Sequence, residues 1–133
     1  MLKEADVPVS YLRACLDCDP ETGTLTWRRR PREHFVDERI WKIWNTRFAG
    51  KPARYYSGSG YLMIRLTLDG KHGNLAAHRV VWTFKHGEWP LGNLDHIDGV
   101  RDNNRPGNLR LATLRYDPET LEIAAWQYFL DAM

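Results

Sequence analysis

Apolar and polar positions alternate most regularly over residues 61–68, YLMIRLTL, a run of β-formers that predicts a strand. Asp69-Gly70 follows as a hairpin signal, so a returning strand is expected near 72–77. The period then changes. AHRVVWTFKHG (77–87) predicts a short helix with Val81 and Phe84 inward and Gly87 as its stop. Upstream, FVDERIWKIWNTRF (35–48) carries Val36, Ile40, Ile43, Trp44 and Phe48 at helical spacing, ended by Gly50. Ser10 is suited to cap a helix over about 10–17, PETG (20–23) is a turn, and TLTWRRR (24–30) reads as a strand. NLDHI (93–97) reads as a strand, DGVRDNNRPG as a wide amide-rich loop, and NLRLAT (108–113) as a returning strand. Asp117-Pro118-Glu119 has the makings of a helix start, followed by an apolar face of Leu121, Ala124, Ala125, Tyr128 and Phe129. The last third thus reads strand, loop, strand, helix.

At 133 residues the default is one domain with one modest core. The six Trp and 43% hydrophobic content argue against disorder, and the Trp side chains are expected in the core. No apolar run reaches the ~20 residues that would span a bilayer. MLKEADVPVS has no apolar signal-peptide core, so a cytoplasmic setting and no membrane partner are expected. Cys15 and Cys18 form a lone C-x-x-C with no second pair to complete a zinc site. They read as ordinary reduced cysteines on a short helix.

The net charge of +2 hides a strong asymmetry. Residues 28–54 hold nine Lys/Arg against three Asp/Glu, a net of +6, which leaves −4 for the rest. A basic half beside an acidic half suits a polyanion held near carboxylates able to bind a cation. The plainer alternative is a solvated basic face with no partner.

Residues 93–113, NLDHIDGVRDNNRPGNLRLAT, set acid, imidazole and amide side chains close together. A turn explains the Gly, Asp and Asn, but it does not call for His96 beside Asp95. A carboxylate is a hard ligand suited to Mg²⁺. A neutral imidazole can take a proton from water at cellular pH. One divalent ion can stabilise a phosphate's developing charge and its leaving oxygen. Strand alternation sends Asp95 and His96 to opposite faces, yet at a twisted strand end both could reach one site. Asn108, twelve residues after His96, falls on the opposing segment. By composition and spacing alone, a plain Asp/Asn-rich turn stays open beside metal-assisted phosphodiester hydrolysis.

The same stretch closely resembles the core of HNH homing-type endonucleases of tailed phages. AHRVVW, FVDERIWKIWNTRFAGKPA and the earlier DPETGTLTW also resemble that family, so the likeness covers roughly residues 11–115. It implies an α+β chain with a ββα-metal (HNH) core at the C-terminal end, after an N-terminal basic helix and β-hairpin region. It further implies an endonuclease or nickase acting on double-stranded DNA with one Mg²⁺ (or Mn²⁺) per site. His96 matches the family's general base, Asp95 a metal-ligand carboxylate, and Asn108 the central Asn that orders the loop. Nine residues further on, where the family has Asn or His as a metal ligand, this chain has Asp117. Aspartate can bind Mg²⁺, but Asp117 before Pro118 also reads as a plain helix cap. His78 falls in the family's H-R motif, where it could contact phosphate, brace the site, or simply pack.

On this reading residues 1–57 form a basic DNA-binding region and 58–133 the hairpin and nuclease core, together one compact unit. Arg28, Arg29 and Arg30 belong to the non-specific grip. Arg65 is the side chain to reach DNA from the hairpin, and Arg79, Arg101 and Arg105 are candidates for phosphate, the last two beside the site. A chain of this size could act as a monomer. Two rival readings remain: a DNA-binding module that has lost catalysis, and a protein-binding chain that uses its Trp-rich helix.

Overall fold

In the longest strand, Leu62–Leu68, alternate residues Leu62, Ile64 and Leu66 are buried, while Arg65 between them is exposed. This strand and its neighbours belong to a computed structural model that describes residues 1–112. The expected helix after Asp117 lies outside the described residues. In chain order the elements are α1 (Val9–Cys15), β1 (Leu16–Cys18), β2 (Leu25–Trp27), α2 (Glu38–Phe48), β3 (Tyr55–Tyr56), β4 (Leu62–Leu68), β5 (Lys71–Ala76), α3 (Ala77–His86), β6 (Leu94–His96) and β7 (Leu109–Leu111). All strand pairs are antiparallel, in three small sheets: β1-β2, β3-β4-β5 and β6-β7. The described chain is a mixed α+β structure.

The β4–β5 hairpin turns on Asp69 and Gly70, with φ of 50° and 76°. Both are positive, as a two-residue turn matched to strand twist requires. The chain runs from β5 straight into α3, which ends at Gly87 in the left-handed conformation. Val80 and Val81 on α3 are fully buried, and Phe84 packs partly buried against the same core. That core joins Leu12, Cys15 and Leu16 to Ile64, Leu66, Leu75, Val81 and Leu109. It thus draws on residues either side of position 57. Each such aliphatic side chain contributes about 1.5–3 kcal/mol by leaving water.

Three expectations need correction. The first helix begins at Val9 after Pro8, with Ser10 inside its first turn, and it stops at Cys15 because Leu16–Cys18 pair with Leu25–Trp27. Cys15 and Cys18 therefore lie on different elements, and burial raises both thiols to about 11, which makes them inert. The second helix starts only after Asp37, whose carboxylate accepts the Ile40 amide at 2.8 Å. Only part of the expected apolar set is buried. Val36, Ile40 and Ile43 are 91%, 46% and 52% exposed, while Trp44 and Phe48 pack on the core. Two apolar stripes share this helix, and the aromatic one wins. Trp44 meets the Trp27 ring edge-on at 5.1 Å, and Asn45 clasps the backbone of Arg30, donating to its carbonyl and accepting from its amide. Among the described Trp residues, Trp27 and Trp82 are buried and the others half-buried.

Candidate active site

Strand β6 pairs with β7 so that Asp95 faces Arg110 and His96 faces Leu109. Alternation sends the two site residues to opposite sides. The Asp95 carboxylate is half-exposed and held by Arg110, at 3.2 Å from Nη2 and 3.3 Å from Nε. His96 turns inward and is 7% exposed. Its ring centroid lies 4.9 Å from that of His78 on α3 and 6.0 Å from that of Tyr61 at the start of β4.

Within this aromatic niche the Nε2 of His96 is 2.8 Å from Asn104 Oδ1. An amide oxygen only accepts, so Nε2 carries a proton in this bond and Nδ1 is the nitrogen left outside it. His78 supplies the opposite case. Its buried Nδ1 has no hydrogen-bond partner among the described residues. Burial, then the neighbouring His96 and Arg79, push its pKa down to about 4, so the ring stays neutral at neutral pH.

The loop from Asp98 to Asn108 is braced from within. Asn108 donates to Asp98 Oδ1 at 3.0 Å and to the Asn103 carbonyl at 2.8 Å, and accepts the Asp98 amide at 3.2 Å. None of these bonds reaches His96. Asn103, the Val100 amide and Asn108 together lower the Asp98 carboxyl pKa. The loop is also docked onto the turn between β3 and β4. Arg101 donates to the Ser59 carbonyl at 2.6 Å and lies 5.2 Å from the Tyr61 ring centroid, and Tyr56 donates to Asp102 at 3.2 Å.

The arginines expected to meet DNA divide into two groups. Arg28, Arg29, Arg65 and Arg105 are exposed. Arg28 donates to the Arg13 carbonyl, Arg29 lies over Trp41, and Arg101 is exposed but bound to the Ser59 turn. Arg30 is 4% exposed, so its place in the DNA grip is withdrawn. Its guanidinium donates to Tyr11 Oη at 2.6 Å and to His34 Nδ1 at 3.1 Å, and sits 4.9 Å from both the Phe35 and Trp44 rings. Arg79 is likewise committed. It grips Glu4 through two bonds of 2.7 and 3.0 Å and donates to the carbonyls of Gly92 and Pro90. His34 is half-buried against Tyr11.

Sequence reasoning passed over Asn104 and Tyr61. Asn104 is one of three amides in the loop, and nothing in its spacing separates it from Asn103. Among the described residues no three His, Cys, Asp or Glu side chains gather to hold a metal ion. Asp95 offers one hard oxygen donor of the kind Mg²⁺ takes. The other candidate ligand, Asp117, lies outside the described residues.

Comparison with known proteins gives a match for one segment. Residues 75–117, from the end of β5 through β6, the loop and β7, match the HNH endonuclease family. Among solved structures the chain is similar to one described as DNA binding and cleavage by the HNH homing endonuclease I-HmuI, with a TM-score of 0.51 and 23% identity. The likeness covers 80% of this chain and 51% of that one, so the chain spans about half the length of that endonuclease. At such identity it is a likeness of fold. Comparison with curated protein sequences gave no match. The HNH segment places Asp95, His96 and Asn108 within the matched residues. No helix among the described residues is long and apolar enough to cross a membrane.

Proposed function

We propose that this chain is a metal-dependent DNA endonuclease or nickase, with His96 as general base. The observation that carries the proposal is the His96–Asn104 bond inside a segment of the HNH family. The bond fixes which ring nitrogen is free to accept a proton, as a general base requires. Nδ1 takes the proton of the attacking water, and Nε2–H stays bound to Asn104. Asn108 keeps the loop in shape through Asp98 and Asn103. Asp95, with Asp117, would hold the divalent ion, which when bound neutralises charge on the scissile phosphate and the leaving 3′-oxygen. Arg105, exposed in the same loop, faces the DNA backbone. Arg28, Arg29 and the rest of the basic 28–54 segment grip phosphates without regard to sequence. One chain acts on one strand.

Supercoiled plasmid incubated with Mg²⁺, Mn²⁺ or EDTA tests this. Metal-dependent nicking is expected, abolished in His96→Ala with DNA binding retained. Undiminished cutting by that variant would defeat the assignment. A second reading, a DNA-binding module without catalysis, is favoured by the ion pair that already occupies Asp95 and by the aspartate at position 117. It predicts salt-sensitive binding with no nicking under any metal.

A further inference from the structure

Helix α2 carries an apolar stripe that the core leaves out. Ile40 and Ile43, with Val36 just ahead of the helix, stand exposed, while Trp44 and Phe48 turn to the core. Cations accompany the stripe. Exposed Arg47 continues it beyond Ile43. Arg39 flanks it, exposed and without a hydrogen bond or ion pair among the described residues. The end of the sequence carries the counterpart. Residues 117–133 hold four acids, Asp117, Glu119, Glu122 and Asp131, and no Lys or Arg. Ile123, Trp126 and Leu130 follow one another at helical spacing, on the side opposite Leu121, Ala125 and Tyr128. Glu119 continues this second stripe, and Glu122 flanks it. A helical segment with apolar side chains on two sides needs two partners to bury both.

Resting on the reading of residues 28–54 as the DNA grip, we propose that segment 119–130 docks along the exposed stripe of α2 and keeps the grip covered until DNA displaces it. Spacing and charge both select this occupant. Positions 36, 40, 43 and 47 have the same intervals as 130, 126, 123 and 119 read backwards. Antiparallel docking therefore sets Leu130 against Val36, Trp126 against Ile40, Ile123 against Ile43, and the Glu119 carboxylate against Arg47. The acids of the tail meet a segment of net charge +6. The connection is long enough. From Ala112, the last described residue, to Ile123 the chain can extend up to about 36 Å. A domain of this size has a radius of gyration of about 14 Å. Such a tail competes with phosphate for the same cations, so DNA binding carries the cost of displacing it.

The test is binding of the full chain to a random-sequence duplex in EDTA, read by fluorescence anisotropy, beside chymotryptic cleavage of the tail without DNA. In Ile40→Gln/Ile43→Gln, DNA affinity should rise about 5- to 100-fold. Cleavage after Tyr128 and Phe129 should speed up, with the urea midpoint near that of wild type. Glu119→Gln/Glu122→Gln should do the same, and both pairs together should add little to either alone. Glu21→Gln/Glu88→Gln removes equal charge at exposed positions elsewhere and should change affinity far less. DNA bound with unchanged affinity by the isoleucine variant, or gains that simply add, overturn the docking. So does a wild-type dimer in light scattering that these variants dissolve, which assigns the tail to a second copy. Faster cleavage in the isoleucine variant, with no DNA binding by any chain, keeps the docking and defeats the DNA reading instead.

Discussion

The side-chain oxygen of Asn104 lies 2.8 Å from Nε2 of His96, and both residues are buried. A bond this short between two buried side chains fixes the imidazole tautomer and its ring plane together. The orienting group comes from the loop, eight residues after the ring it orients. In Asn104→Ala the ring is free to rotate and to place its proton on either nitrogen. Nicking should fall about 10- to 100-fold, within what a general base supplies. DNA affinity in EDTA should stay unchanged. Asn104→Asp keeps an acceptor at the same place and should recover part of the loss. Equal nicking by wild type and the alanine variant would show that the bond does not orient His96.

His78 makes folding stability depend on pH. Its folded pKa of about 4 lies below the ordinary histidine value of 6.5. Between these values the unfolded chain binds more protons than the folded one, so stability rises with pH across that window. The contribution is fully present above pH 6.5 and is lost as pH falls toward 4. Allowing for partial exposure, its size is on the order of 2 kcal/mol. Urea unfolding at intervals from pH 4 to 7 should show a shallower slope in His78→Gln than in wild type. Some slope should remain, since burial and Arg30 also lower the pKa of His34.

Arg30 and Arg105 should behave oppositely, although sequence grouped both with DNA contacts. Arg30 is locked among Tyr11, His34, Phe35 and Trp44, so Arg30→Met removes buried hydrogen bonds and cation–π contacts. Stability should drop by about 2–4 kcal/mol, read from the urea midpoint. The salt dependence of DNA binding by the folded variant should not change. Arg105→Ala should leave stability near wild type and reduce the slope of log K against log salt by about one. A reduced slope in Arg30→Met would return Arg30 to the DNA surface.

What could be read from sequence followed how local the determinant was. The β4–β5 hairpin, with its Asp69-Gly70 turn, and the Gly87-capped helix are set by neighbouring residues, and both stand within a residue or so of expectation. The face of α2 was not legible, because Ile40–Ile43 and Trp41–Trp44–Phe48 both satisfy a helical period. Only the partners Trp27 and Phe35, distant in sequence or outside the helix, decide between them. Arg30 looked like its neighbours Arg28 and Arg29 for the same reason, since its cage is assembled by α1, α2 and β4. At the site, His96 and Asp95 stood out as a pair. Asn104 did not, because its role depends on how the loop folds back onto β6.

Gly23 links the N-terminal turn to that loop. It has φ of 72°, and a Cβ built on it would collide with the backbone carbonyl of Asn104. Two costs therefore fall on Gly23→Ala: a left-handed backbone that alanine disfavours, and displacement of the residue that orients His96. The turn itself is well anchored, since Asp19 accepts the amides of Glu21 and Thr22 and the Gly23 amide bonds the Asp19 carbonyl. The loop, held mainly by side-chain bonds, should yield instead. Gly23→Ala is expected to lower stability by about 1–3 kcal/mol and to cut nicking more than stability explains. Assaying well below its melting temperature, with circular dichroism to confirm the folded state, separates the two effects. Gly107, whose surroundings leave room for a Cβ, is the control in the same loop. If Gly107→Ala and Gly23→Ala lose nicking equally, the contact between the turn and Asn104 has no part in setting the site.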